Sequence, residues 1–184
     1  MDWRGPELCL ARDVEDPPYM EVYSAAPFAY GGLLLCGIER MHFSPDVVDT
    51  EVAWSRDNGR SWQRSRQRQP FLPLGGNGDF DRSWINLPAS KPIQAHGRLL
   101  FHYSGRAAAH GSPEPLMTGG IGLAVLRIDG FASITAASKQ GWAETPPFTW
   151  PGGGLHVNVD ARGNAAAHYR FADGEMSVEV VGVD

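Results

Sequence analysis

The chain has 184 residues, 42% of them hydrophobic and 20% charged, a balance that sets aside disorder as the main state and fits one soluble globular domain or two small ones. Its 22 Gly and 14 Pro are about a fifth of the chain, against a usual share of about 12%, and that much punctuation argues against helices. With 16 basic and 21 acidic residues the net charge is -5, so no broad basic surface is available for phosphates or anionic lipid, and neither nucleic acid nor membrane is expected as a partner.

The first twenty residues carry Asp2, Arg4, Glu7, Arg12, Asp13, Glu15 and Asp16, which leaves no room for the apolar core of a signal peptide and makes the cytoplasm the default expectation. The longest nearly uncharged apolar run, residues 31–38, is eight residues, far short of the roughly 20 that a membrane helix needs. Cys9 and Cys36 fit no metal-ligand spacing and are expected as two buried thiols. Strand periodicity then dominates. Residues 21–25 alternate, 33–38 form a buried-type run after a Gly-Gly turn, and 51–55 alternate again. Residues 91–95, 99–104, 121–128 and 131–135 follow, separated by His-Gly, Gly-Gly and Asp-Gly turn signals. The tail adds 144–149, 155–160, 165–171 and 176–183, which read as an antiparallel meander.

Internal repetition organises these strands. At an offset of 65, Pro27, Phe28, Gly32, Leu34 and Leu35 fall on Pro92, Ile93, Gly97, Leu99 and Leu100; at 71, Val52, Ala53, Arg56 and Gly59 fall on Leu123, Ala124, Arg127 and Gly130. Two similar units follow, roughly 19–69 and 80–136, with the length and strand content of propeller blades. The expected fold is all-β: a partial, about two-blade β-propeller over residues 1–136, then an antiparallel β-sandwich-like tail over 137–184. A propeller closes with about four to eight blades, so two are expected to need either a second copy of the chain or blades from a longer one.

Ser55-Arg56-Asp57-Asn58-Gly59-Arg60-Ser61-Trp62 has the pattern Ser-x-Asp-x-Gly-x-Ser/Thr-Trp. Such a segment makes a hairpin turn: Asp57 accepts from backbone N–H groups, Gly59 supplies a positive φ, and Trp62 packs its indole. It resembles the Asp box of sialidases and related propellers, where it lies on the outer rim, so the resemblance gives Ser55, Asp57, Gly59 and Trp62 a folding role. The segments 19–24, 27–33 and 53–57, with 81–87 and 100–106, resemble five-bladed propeller hydrolases related to invertases and arabinanases. Residues 122–124, 127–133, 147–149 and 155–160 are similar to bacterial proteins in which a β-sandwich follows such a propeller.

What the resemblance implies is hydrolysis or recognition of a carbohydrate. Glycosidases use two carboxylates flanking the scissile bond. The resemblance offers Glu21, at the start of the first strand of its blade, as the acid, and Asp81, at the start of the second blade, as a sugar-contacting or catalytic Asp. Trp84, Tyr103, Arg106 and His110 are candidates for binding the sugar, by stacking or by hydrogen bonds. Asp13 and Asp16 match the Arg-Asp-Pro of invertases only loosely, and a charged loop is the favoured reading. A non-catalytic carbohydrate-binding or scaffolding module is the alternative. Gly-x-Ser-x-Gly, Walker and His-Glu-x-x-His motifs are absent, and nothing calls for a cofactor or a metal.

Overall fold

The computed structural model describes residues 5–88, 90–113, 119–136, 140–161 and 174–182. Among these the regular structure is all β, in the order β1 (Met20–Tyr30), β2 (Leu33–His42), β3 (Val47–Ser55), β4 (Gln63–Arg64), β5 (Trp84–Asn86), β6 (Ile93–Ala95), β7 (Arg98–Arg106) and β8 (Gly119–Arg127). No helix of the described residues is long and apolar enough to cross a membrane. The chain divides into two compact units, Met1–Phe131 and Ala132–Asp184.

All eight strands belong to the first unit and to one sheet, ordered β1-β2-β3-β5-β7-β6, with β4 beside β3 and β8 beside β7. The sheet contains the same antiparallel meander twice. In the first, β1 pairs β2 from Tyr30↔Leu33 outward, and β2 pairs β3. In the second, β5 and β6 lie along the same strand, β7, as two pieces of one interrupted edge, and β7 pairs β8. The turns between the first two strands correspond: Gly31 and Gly32 have φ of 56° and 79°, His96 and Gly97 of 48° and 69°. Two successive positive-φ residues are what a two-residue hairpin turn with the native strand twist requires. A single parallel bridge, Val48↔Trp84, joins the meanders and curls the sheet into half a barrel.

β7 shows how the alternation becomes a core. Leu99, Phe101 and Tyr103 are buried and pack with Ala26, Ile85 and Leu87, against Phe28, Phe71 and Phe131. Burying each such side chain contributes about 1.5–3 kcal/mol. Gly122 lies opposite Tyr103 on β8, where a Cβ would enter the tyrosine ring. A smaller cluster, Cys36, Ile38 and Ala53, is covered by Leu10, Val22 and Trp62.

Three expectations change. Cys36 is buried, but Cys9 is exposed, because it lies on an N-terminal segment whose Leu10, not Cys9, turns inward. Residues 131–135 are not a strand; the chain turns at 128–131 after β8. In the second unit the described parts of the predicted tail strands, 144–149, 155–160 and 176–182, are not in strands, and 165–171 lies outside the described residues. Leu155, Val157 and Val159 alternate with polar residues yet stay half-exposed. Alternation yields a sheet only where a partner strand and an apolar layer take up the two edges and one face.

Candidate functional site

Trp84, Arg106 and His110 come together, joined by Tyr23. Trp84 begins β5 and pairs with Arg106, the last residue of β7. The Arg106 guanidinium carbon is 4.6 Å from the centre of the Trp84 ring, and His110 stacks on the same indole at 4.7 Å. Tyr23 reaches in from β1, edge-on to Trp84 at 5.7 Å, with its hydroxyl 3.0 Å from His110 Nε2. The bulge in β1 between Val22 and Ser24 shifts the register at Tyr23, and a bulge re-aims a side chain. The loop bearing His110 is held by the Gly111 N–H donating to Asp46 Oδ2 at 3.1 Å. Half of Tyr23 (49%) is exposed, so this ring, not the packed Trp84, is the open platform.

The two predicted carboxylates are not paired. Glu21 is on β1 two residues before Tyr23, its side chain 58% exposed and its Oε1 3.5 Å from Arg12 Nε. Asp81 is buried and accepts a hydrogen bond from the Tyr103 hydroxyl at 2.6 Å. Burial and the Asp81 carboxylate together push the Tyr103 phenol up to about 12. Tyr103 and Arg106 are three residues apart on one strand, so their side chains leave opposite faces. The Asp81–Tyr103 pair therefore lies on the core face and the Trp84–Arg106 cluster on the other.

The segment Ser55–Trp62 forms a closed turn. Asp57 accepts from the Ser61 hydroxyl at 2.6 Å, the Ser61 N–H at 2.9 Å and the Ser55 hydroxyl at 2.8 Å. These bonds, that from the Ser61 hydroxyl foremost, lower its carboxyl to about 2. Ser55 Oγ also accepts the Gly59 N–H at 2.8 Å, Gly59 has a φ of 86°, and Trp62 packs on Cys36, Ile38 and Ala53.

Sequence reasoning missed two groups of buried charge. At one end of β2 and β3, Arg40 grips Asp49 through two bonds of 2.7 Å and reaches Glu51 at 3.3 Å. Arg64 on β4 binds Asp16 at 2.6 and 2.7 Å and Glu51 at 2.7 Å, and Arg68 pairs with Asp13. Burial penalises the Asp16 carboxylate, but the Arg64 bonds outweigh it and hold Asp16 below the usual carboxylate range; burial likewise opposes the Arg64 charge, which its two carboxylates raise above its ordinary value. The signal was present: charges at 39, 40, 49 and 51 fall inside two strands that need buried side chains. The second group is Glu39, almost fully buried, bound by the Asn86 side-chain amide, with Oε2 lacking any hydrogen-bond partner. Burial pushes this carboxyl up to about 7 despite the Asn86 bond. Glu39 is on β2 and Asn86 on β5, so the bond clasps the two meanders together.

Among the described residues no group of three or more His, Cys, Asp or Glu could hold a metal ion. No family model, curated protein or solved structure matches the chain.

Proposed function

We propose that the chain recognises carbohydrate at the cluster of Tyr23, Trp84, Arg106 and His110, as part of a propeller of the glycoside-hydrolase-like type whose blades are the two meanders. The juxtaposition of these four side chains carries the reading. An exposed aromatic ring beside an Arg and a His offers a sugar ring an apolar face to stack on and donors for its hydroxyls. The Asp box and the repeated meander support the propeller, and the open face of β7 and β8 is where a further blade, from a second copy or a longer chain, would pack.

Binding is favoured over hydrolysis for this chain, because Asp81 is committed to Tyr103 on the core face and leaves Glu21 without a facing carboxylate. The glycosidase reading keeps one specific support: Glu21 is exposed on the strand that supplies Tyr23. Titration of the chain with neutral arabino-, fructo- and xylo-oligosaccharides, followed by NMR, tests both. The expected result is binding that Tyr23→Ala weakens at least tenfold, with no release of reducing sugar. Binding unaffected by Tyr23→Ala and Arg106→Gln, or no binding at all, would overturn the proposal; turnover that Glu21→Gln abolishes while binding persists would install the enzyme in its place.

A further inference from the structure

Beside the first meander, β4 and the N-terminal segment 9–13 line an open groove of about 580 Å³, a size within the usual range of small-ligand sites. Its walls include Trp54, Trp62, Gln63, Arg64, Arg66 and Arg68. The sequence between residues 56 and 68 carries five arginines, at 56, 60, 64, 66 and 68, and one acidic residue, Asp57, a local excess of positive charge on a chain whose net charge is -5.

These arginines divide into two sets. Arg64 and Arg68 are nine-tenths or more buried and neutralised by Asp16, Glu51 and Asp13. Arg56, Arg60 and Arg66 are exposed, and among the described residues their guanidinium groups have no hydrogen bond, ion pair or ring contact. The ion network fixes the groove floor, while Arg66 brings an uncompensated charge to its wall. A second donor is spare: Arg68 Nε is buried and lacks a hydrogen-bond acceptor, its nearest carboxylate oxygen, Asp16 Oδ1, standing 3.5 Å away. Beside these donors are two indoles, of which Trp54 is oriented by its Nε1–H donating to Gln63 Oε1 at 2.7 Å.

We propose that this groove is a second ligand site, for a sugar ring bearing one carboxylate or sulfate. A partly exposed indole suits the apolar face of a pyranose. A guanidinium with its donors free suits a carboxylate or a sulfate, two oxygens of which it meets through two parallel hydrogen bonds. One such guanidinium matches one anionic group rather than a row of phosphates, and the net negative charge of the chain opposes a long polyanion. The site does not depend on the cluster around Tyr23 and stands whether or not that cluster binds sugar.

Isothermal titration of the full chain with tri-galacturonate, galactose 6-sulfate, a neutral galactose trisaccharide and single-stranded oligothymidylate tests it. The expected result, read in the Tyr23→Ala chain so that the other cluster is silent, is binding of the acidic sugars only, weakened at least tenfold by Arg66→Gln and weakened by salt. Galacturonate against sulfate decides which anion the groove prefers. Arg66 is exposed and unpaired, so Arg66→Gln is expected to melt like the parent; a shifted melt transfers the test to Trp54→Phe, which keeps a ring but removes the bond to Gln63. Equal binding of neutral and acidic sugars, binding insensitive to Arg66→Gln, preference for the oligonucleotide, or no binding would each overturn the proposal.

Discussion

The two meanders share a strand plan and differ in what covers them. In the first, β2 is buried along nearly its whole length, on both faces, from Leu35 to Met41; in the second, β8 half-buries one face and leaves Ile121, Leu123 and Val125 at 74%, 53% and 58% exposure on the other. Burial on both sides has a consequence for charge. Arg40 and Glu39 on the doubly covered strand had to be matched, Arg40 by two carboxylates and Glu39 by an amide, whereas charged residues of the second meander such as Arg98 and Arg106 stay partly in water. A repeated backbone plan thus carries two different electrostatic designs, set by which faces the rest of the chain covers.

The sharpest way to break the first meander is to unbalance its ion network. Arg64→Met takes from buried Asp16 its two close guanidinium bonds and leaves Glu51 only longer contacts to Arg40 and Arg68, and removing one partner of a buried pair typically costs about 3–5 kcal/mol. A fall in the melting temperature far exceeding that of Arg66→Met, two residues away and unpaired, is the expected result of a thermal scan. Equal effects would mean that water reaches the network and screens it.

In the second meander the largest expected loss comes from packing. Leu99→Ala removes a 1%-exposed side chain from the cluster that holds the meanders together, at a cost of about 2–5 kcal/mol. Gly122→Ala drives a methyl into the Tyr103 ring and is expected to cost about 1–3 kcal/mol. Denaturant titration compares them. Gly122→Ala should be partly rescued by Tyr103→Phe, since loss of the bond to Asp81 frees the ring to shift.

The clasp between the meanders titrates. The Glu39 carboxyl sits at about 7 in the folded chain, above its ordinary 4.5. Below about 4.5 it is protonated in both states and contributes its full share; as pH rises to about 7 the unfolded chain loses the proton first, and stability falls, levelling off above that. The fall attributable to Glu39 is on the order of 3 kcal/mol. Glu39→Gln should flatten this slope in unfolding experiments between pH 4.5 and 8 and leave the variant the more stable of the two at pH 8. An unchanged slope would assign it to other groups.

How far the sequence was readable follows the same division. The turns at Gly31–Gly32, His96–Gly97 and Ser55–Ser61 were legible, though not the strand ends around them, because Gly32, Gly97 and Gly59 at positive φ and the Ser55–Asp57–Ser61 spacing are local requirements. The grouping of Trp84, Arg106 and His110 was legible as a set of candidates, but Tyr23 was not, since the bulge that re-aims it is visible only in the pairing of β1 with β2. Asp81 looked like a site residue because of its place before β5; its commitment to Tyr103, 22 residues away, depends on a β-strand face that sequence order does not reveal. The network around Arg40 and Arg64 joins Asp16 to β4 across 48 residues, a closure no periodicity announces. In the tail, alternation alone was a poor guide, because a strand exists only with its neighbours.

The smallest expected effect probes the open face of the second meander. Leu123 is exposed on β8, opposite His102, so Leu123→Thr removes little buried area and puts in a β-branched residue suited to a strand; its effect on the thermal stability of the isolated chain should stay within about 0.5 kcal/mol. If a second copy or another blade covers this face, the same change falls in an apolar interface and becomes visible only there, as a larger dissociation constant in light scattering at rising concentration. A stability loss comparable to that of Leu99→Ala in a monomeric sample would instead mean that the face is already covered within the chain, and that the two meanders are less different than their strand burial makes them.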